Sequence, residues 1–148
     1  MNDSYLAGLI DGEGYLALLP SKVKGLKQQS FEPVIKIGMT GTSAQVIALK
    51  LKEKYGGHIE TRVSLTKGGR QTYTYIAKSK KRVLAIIEDI LPYLIVKLDQ
   101  AVILKEFCLM GSSHSNYASF SESDIARKAF IYYELKRLKE PEPLAETK

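Results

Sequence analysis

Two carboxylates two residues apart, Asp11 and Glu13, close the segment Leu6-Ala7-Gly8-Leu9-Ile10-Asp11-Gly12-Glu13-Gly14, which carries most of the chemistry this sequence offers. Gly8 and Gly12 are four apart, so on a helix they share a face and, with Ala7, let a second helix approach to backbone contact. Glycine in a helix interior costs about 1 kcal/mol relative to alanine, so such residues call for a packing reason. If two copies of the segment meet along that face, four carboxylates converge. That concentration of negative charge is unfavourable unless divalent cations lie between them. Phosphodiester hydrolysis uses this arrangement: hard oxygen ligands hold Mg2+, which activates water and neutralises developing charge. The plainer alternative makes Asp11 a helix-terminus side chain and Glu13 a solvated residue at the start of a strand.

Little else in the chain competes for a chemical role. His58 and His114 have no partner at metal-ligand spacing and read as ordinary polar residues. The single cysteine, Cys108, excludes an intrachain disulfide framework and a multi-cysteine zinc site, and fits a reducing compartment. The N-terminus carries carboxylates where a secretion signal needs lysines. No apolar run approaches the roughly 20 residues of a membrane span. The chain of 148 residues is one domain's worth, and 45% hydrophobic against 26% charged residues excludes a mainly disordered polypeptide.

The elements that must position the two carboxylates follow from periodicity. Asp3 or Ser4 caps a short helix with Tyr5, Leu6, Leu9 and Ile10 as apolar positions, ending at Gly12 and Gly14. Tyr15 to Leu19 and residues 32 to 40 read as strands, the second with Ile35, Ile37 and Met39 on one face and Val34, Lys36 and Gly38 on the other. Thr42 or Ser43 opens a helix whose stripe is Val46, Ile47, Leu49, Leu51 and Tyr55, stopped by Gly56-Gly57. Strands over 58 to 65 and 70 to 77 flank the turn Thr66-Lys67-Gly68-Gly69. Helices are expected from Lys80 to Leu91, from 93 to 110, and from Glu122 or Ser123 to Leu138, and 140 to 148 reads as a frayed tail. The order α, β-β, α, β-β, α, α, α implies an α+β sheet with helices on one face.

The other face must meet something else. Its expected residues are Tyr15, Ala17, Leu19, Ser21, Lys36, Gly38, Arg62, Ser64, Arg70, Thr72, Thr74 and Ile76, a mixed polar, basic and small set suited to reading a nucleic-acid groove. Charge points the same way. The net +6 divides into +8 over residues 1 to 87 (14 basic, 6 acidic) and −2 over residues 88 to 148 (8 basic, 10 acidic). No acidic residue lies between Glu60 and Glu88, where Arg62, Lys67, Arg70, Lys78, Lys80, Lys81 and Arg82 fall. A polyanion is the natural partner, the plain alternative being a solvated lysine-rich surface. A strand of about ten residues at ~3.3 Å each spans about 33 Å, close to ten base pairs of duplex at ~3.4 Å. Lys22, Lys24, Lys27, Gln28 and Gln29 form a basic loop suited to the outer end of a half-site.

The segment LAGLIDGEG resembles the signature of the LAGLIDADG homing endonucleases. So do the VIKIGMT strand leading into a helix, the glycine-paired hairpin, and the stretch Leu91-Pro92-Tyr93-Leu94-Ile95-Val96-Lys97-Leu98-Asp99-Gln100. The likeness covers roughly residues 4 to 110. It implies an αββαββα fold with a saddle-shaped antiparallel sheet in the DNA major groove, here with extra C-terminal helices, in one domain over 1 to 148. It further implies that Glu13 is the metal-binding carboxylate, with the Gly12 carbonyl as second ligand, and that Lys97 acts near the scissile phosphate. By the same resemblance Asp11 caps and positions the helix ends, with a minor catalytic share in metal or water contact. Mg2+ is the expected cofactor, with Mn2+ as a substitute.

With one motif per chain, the resemblance implies a homodimer joined through Leu6, Ala7, Gly8, Ile10, Asp11 and Gly12. Such a dimer would cut a near-palindromic double-stranded DNA site of roughly 20 base pairs and leave short 3′ overhangs. Expected DNA contacts are Lys22, Lys24, Lys27, Gln28, Gln29, Lys36, Arg62, Ser64, Lys67, Arg70, Thr72 and Thr74. Gly41 and Gln45 stand where some family members carry a Gln and an Arg that support the water network. The alternative functions are a group I intron RNA maturase, with intron RNA as partner, and a DNA-binding regulator that does not cut. The expected location is intracellular, in a chloroplast, mitochondrion or prokaryotic cytoplasm, with no membrane partner.

Overall fold

The computed structural model describes residues 1–21, 30–63, 68–111 and 121–140. Helix α1 (Asp3–Glu13) leads into strands β1 (Gly14–Ser21) and β2 (Ser30–Thr40). Helix α2 (Thr42–Tyr55), strands β3 (His58–Val63) and β4 (Gln71–Lys78) and helix α3 (Lys80–Ile90) follow. A 3-10 turn (Leu91–Tyr93), helix α4 (Leu98–Leu109) and helix α5 (Glu122–Lys139) complete the order. The α+β expectation and the αββαββα order are thus realised, with α4 and α5 added. The expected sites Lys22, Lys24, Lys27, Gln28, Gln29, Ser64 and Lys67, as well as His114 and the tail 141–148, lie outside the described residues.

The four strands pair antiparallel in the order β1-β2-β4-β3, leaving β1 and β3 at the edges. Register follows the alternation of side chains. Leu16 and Leu18 of β1, Ile35, Ile37 and Met39 of β2, and Tyr75 and Ala77 of β4 all enter the main core. They meet Ala44, Ala48 and Leu51 of α2, Val83, Ile86, Ile87 and Ile90 of α3, Ala101, Leu104, Phe107 and Cys108 of α4, and Ile131 and Leu135 of α5. Each of these helices presents residues three and four apart, one stripe per helix. The thiol of Cys108 is buried, and burial pushes its pKa up to about 12 against the pull of nearby Lys80.

Several boundaries differ from the sequence expectation for local reasons. Helix α1 is capped by Asn2, whose side chain accepts from the Tyr5 N–H, rather than by Asp3 or Ser4. Gly41, at φ 104°, precedes α2 and no side chain caps it, so neither Thr42 nor Ser43 takes that part. The buried stripe of α2 is Ala44, Ala48 and Leu51, whereas Val46 and Leu49 are half exposed. Ser121 caps α5 by accepting from Asp124. The helix expected from 93 begins only at Leu98. Residues 95–97 are instead drawn off by long-range hydrogen bonds to Asp11.

Candidate functional site

The site begins where α1 ends. Turning from helix into β1 requires Gly14, since a Cβ there would lie 2.7 Å from the Ile10 carbonyl oxygen. The turn leaves Glu13 as the last helical residue, exposed, with no hydrogen bond or ion pair among the described residues. Gly12 stands beside it in the last turn, where helix carbonyls lack intrahelical partners and the dipole's negative end favours cations.

Asp11 is differently placed. Its carboxylate accepts the backbone N–H groups of Ile95 at 2.8 Å, Val96 at 3.1 Å and Lys97 at 2.9 Å. Desolvation pushes its pKa up, but the three N–H donors and the Lys97 charge outweigh that and hold it below the ordinary 3.8. The Lys97 ammonium in turn donates to the Asp11 carbonyl oxygen at 2.7 Å. A latch spanning 86 residues of sequence therefore fixes Lys97, part-buried, at the C-terminal end of α1. Gln100, one turn on, is buried with its Oε1 unpartnered among the described residues.

Helix α1 has two sides. Leu6, Ala7 and Ile10 are 2%, 0% and 0% exposed inside the chain's own core. This corrects the expectation that they form an interface between copies, because their side of the helix is already filled. Gly8 and Gly12 face the other way, and a Cβ at either would meet nothing within 4 Å. Tyr5, half exposed, shares that outer stripe, and the neighbouring 3-10 turn and its exit expose Tyr93, Ile95 and Val96.

The sheet's open face carries Tyr15, Lys36, Ile76 and His58 in one cross-strand row. Gly38, Thr74 and Glu60 form the next, followed by Thr40, Thr72 and Arg62. Lys36, Arg62, Thr72 and Thr74 thus share the face that parity assigned them, and exposed Arg70 precedes β4. Ala17, Val34 and Ile76 form a small second cluster on this face, packed by Leu19 and 0–3% exposed. Sequence reasoning missed the acids Glu32 and Glu60, and also Lys78, although strand parity alone places them there.

Among the described residues, no three His, Cys, Asp or Glu residues gather into a metal-binding group. The donors at the helix end are a free carboxylate and a backbone carbonyl, both hard oxygens. That set fits Mg2+, which usually takes one or two carboxylates and fills its shell with water and substrate phosphate.

No protein-family model matches the sequence, and no curated protein does. Solved structures do. One match is the homing endonuclease I-CvuI in complex with DNA in the presence of Mg, at TM-score 0.73 and 16% identity, over 97% of this chain and 85% of that one. A second is the homing endonuclease I-TnaI, at TM-score 0.69 and 18% identity, over 94% of both chains. A third is the LAGLIDADG homing endonuclease I-LtrWI bound to target DNA, at TM-score 0.68 and 18% identity, over 90% of this chain but 44% of that one. The chain has the LAGLIDADG homing endonuclease fold.

Proposed function

We propose that this chain is a site-specific endonuclease acting on double-stranded DNA as a homodimer, by metal-dependent phosphodiester hydrolysis. The observation that carries the reading is the division of labour at the end of α1. Glu13 projects free beside the Gly12 carbonyl, while Asp11 spends its carboxylate on fixing Lys97 next to them. A module that only binds DNA has no use for that arrangement. Glu13 and the Gly12 carbonyl would hold Mg2+, which when bound supplies an activated water and neutralises charge on the phosphate. Lys97 donates to the Asp11 carbonyl, which holds its side chain beside the reacting phosphate, where it stabilises developing negative charge. Asp11 is a positioning residue. The open face, with Lys36, Arg62, Thr72 and Thr74, lies in the major groove, and cutting leaves 3′ overhangs.

The dimer reading draws support from Gly8 and Gly12, whose outward side is open to a second helix. In a dimer each copy brings one Glu13 to the contact. Gly8→Leu should therefore halve the mass found by sedimentation, and an unchanged dimer would overturn the helix contact.

Selection of cleaved duplexes from a randomised library with Mg2+, native chain against Glu13→Gln, tests the whole reading. Near-palindromic sites cut only by the native chain are the expected result. Binding without cutting by the native chain would move the assignment to a regulator, or to an RNA maturase if intron RNA binds instead.

A further inference from the structure

The DNA-facing residues expected from the sequence all belong to strands or their loops, but the structure brings another element to the same corner. Helix α5 runs antiparallel to β1. Its Tyr132 packs on Phe31, at the outer end where Phe31 pairs with Pro20, with ring centroids 5.1 Å apart. Lys139, about two turns on, sets its Nζ 4.1 Å from the centroid of the Tyr15 ring at the inner end of β1. Tyr15 lies two residues beyond Glu13 and directly across from Lys36. Because β1 is an edge strand, no further strand separates α5 from this corner. Lys136 places its Nζ 4.4 Å from the Tyr132 ring centroid and feels the Tyr15 phenol as well.

Lys139 thus stands on the Tyr15 ring next to the end of α1, with Lys136 one turn before it on α5 and Lys36 at the strand position across from Tyr15. Among the described residues no carboxylate forms an ion pair with any of them. The nearby acid on α5, Glu134, is taken by Arg137 on another side of the helix. An aromatic ring holds an ammonium in place without neutralising it. Burial, and then the neighbouring Lys136 charge, lower the Lys139 pKa to about 8, the mark of a cation lacking its anion. At the margin of a groove-reading sheet, the anion within reach is the backbone rather than a base.

We propose that Lys139 of α5, seated against Tyr15, and Lys136 one turn before it bind a backbone phosphate of the DNA duplex beside the cleavage centre. The C-terminal helix is then part of the DNA-binding surface as well as a brace for the core. This rests on the nuclease reading above, and the test separates the two. The full chain is titrated with a labelled duplex of arbitrary sequence in EDTA, at several salt concentrations. Lys139→Ala should weaken binding several-fold, equally for unrelated sequences, and lower the slope of log K against log salt by about one per protomer. Lys139→Arg should keep the native slope, as should Lys50→Ala on the exposed side of α2. Lys139→Gln, which keeps the stem on the ring, reads the same charge loss if the alanine variant fails to fold. A native slope in Lys139→Ala and Lys139→Gln would overturn the proposal while leaving the nuclease reading standing. A loss confined to one sequence would overturn it too. Absence of salt-dependent duplex binding by the native chain would overturn both.

Discussion

The two faces of the sheet are made from the same four strands, yet they are governed by different requirements. On the inner face Leu16, Ile35, Ile37, Tyr75 and Ala77 are all fully buried against helices. On the open face, residues one position away include lysine, arginine, threonine and histidine with the acids Glu32 and Glu60, beside Tyr15, Gly38 and the small cluster of Ala17, Val34 and Ile76. The end of α1 repeats the contrast within one helix. Asp11 is bound into the structure by three N–H groups, and Glu13, among the described residues, by none. Stability and the proposed function therefore fall on alternate residues, and substitutions one or two positions apart should separate them.

The largest separation is expected at Glu13. Glu13→Gln should lower the rate of DNA cutting roughly a thousandfold or more, the scale of losing several kcal/mol of metal-borne stabilisation. Its melting temperature should stay at the native value, since Glu13 is exposed and makes no hydrogen bond or ion pair among the described residues. Across the sheet, Ile37→Ala should cost about 2–5 kcal/mol in urea unfolding. Thr74→Ala, on the open face, should stay within about 0.5 kcal/mol and instead alter the sequences recovered in the cleavage selection.

Asp11→Ala falls between these, at about 1–3 kcal/mol, because it removes a charged acceptor shared by three backbone N–H groups, two of them exposed and that of Lys97 part-buried. Its contribution also has a pH signature. The folded pKa lies below the ordinary 3.8, so the stabilisation is present above that value and is lost as pH falls through the lowered folded value. Acid unfolding of the native chain should steepen below about pH 4, and Asp11→Ala should lack that part of the slope. Equal slopes in the two proteins would show that the latch carries no net charge effect.

Much of this was legible in the sequence, and the misses have a common cause. Strand parity placed Lys36, Arg62, Thr72 and Thr74 correctly because a period of two leaves a residue only two faces to choose from. The glycines of α1 signalled a close approach, but the same signal drew in Leu6, Ala7 and Ile10. A sequence does not distinguish apolar residues buried within a chain from those buried between copies. Residues 94 to 97 continue a helical pattern, and only the distant carboxylate of Asp11 pulls their amides away from it. Lys139 was not legible at all, since the ring it rests on lies at the other end of the chain.

The buried thiol of Cys108 gives the molecule a clock of its own. Its sulfur lies in α4, within the core that α3, α4 and α5 share, and is protonated far above neutral pH. A thiol reagent can reach it only when those helices part, so the rate of labelling counts how often they do. With one cysteine in the chain, that count needs no engineered probe. Slower labelling when duplex DNA is added would mean that a ligand held on the open face of the sheet steadies helices packed on the other.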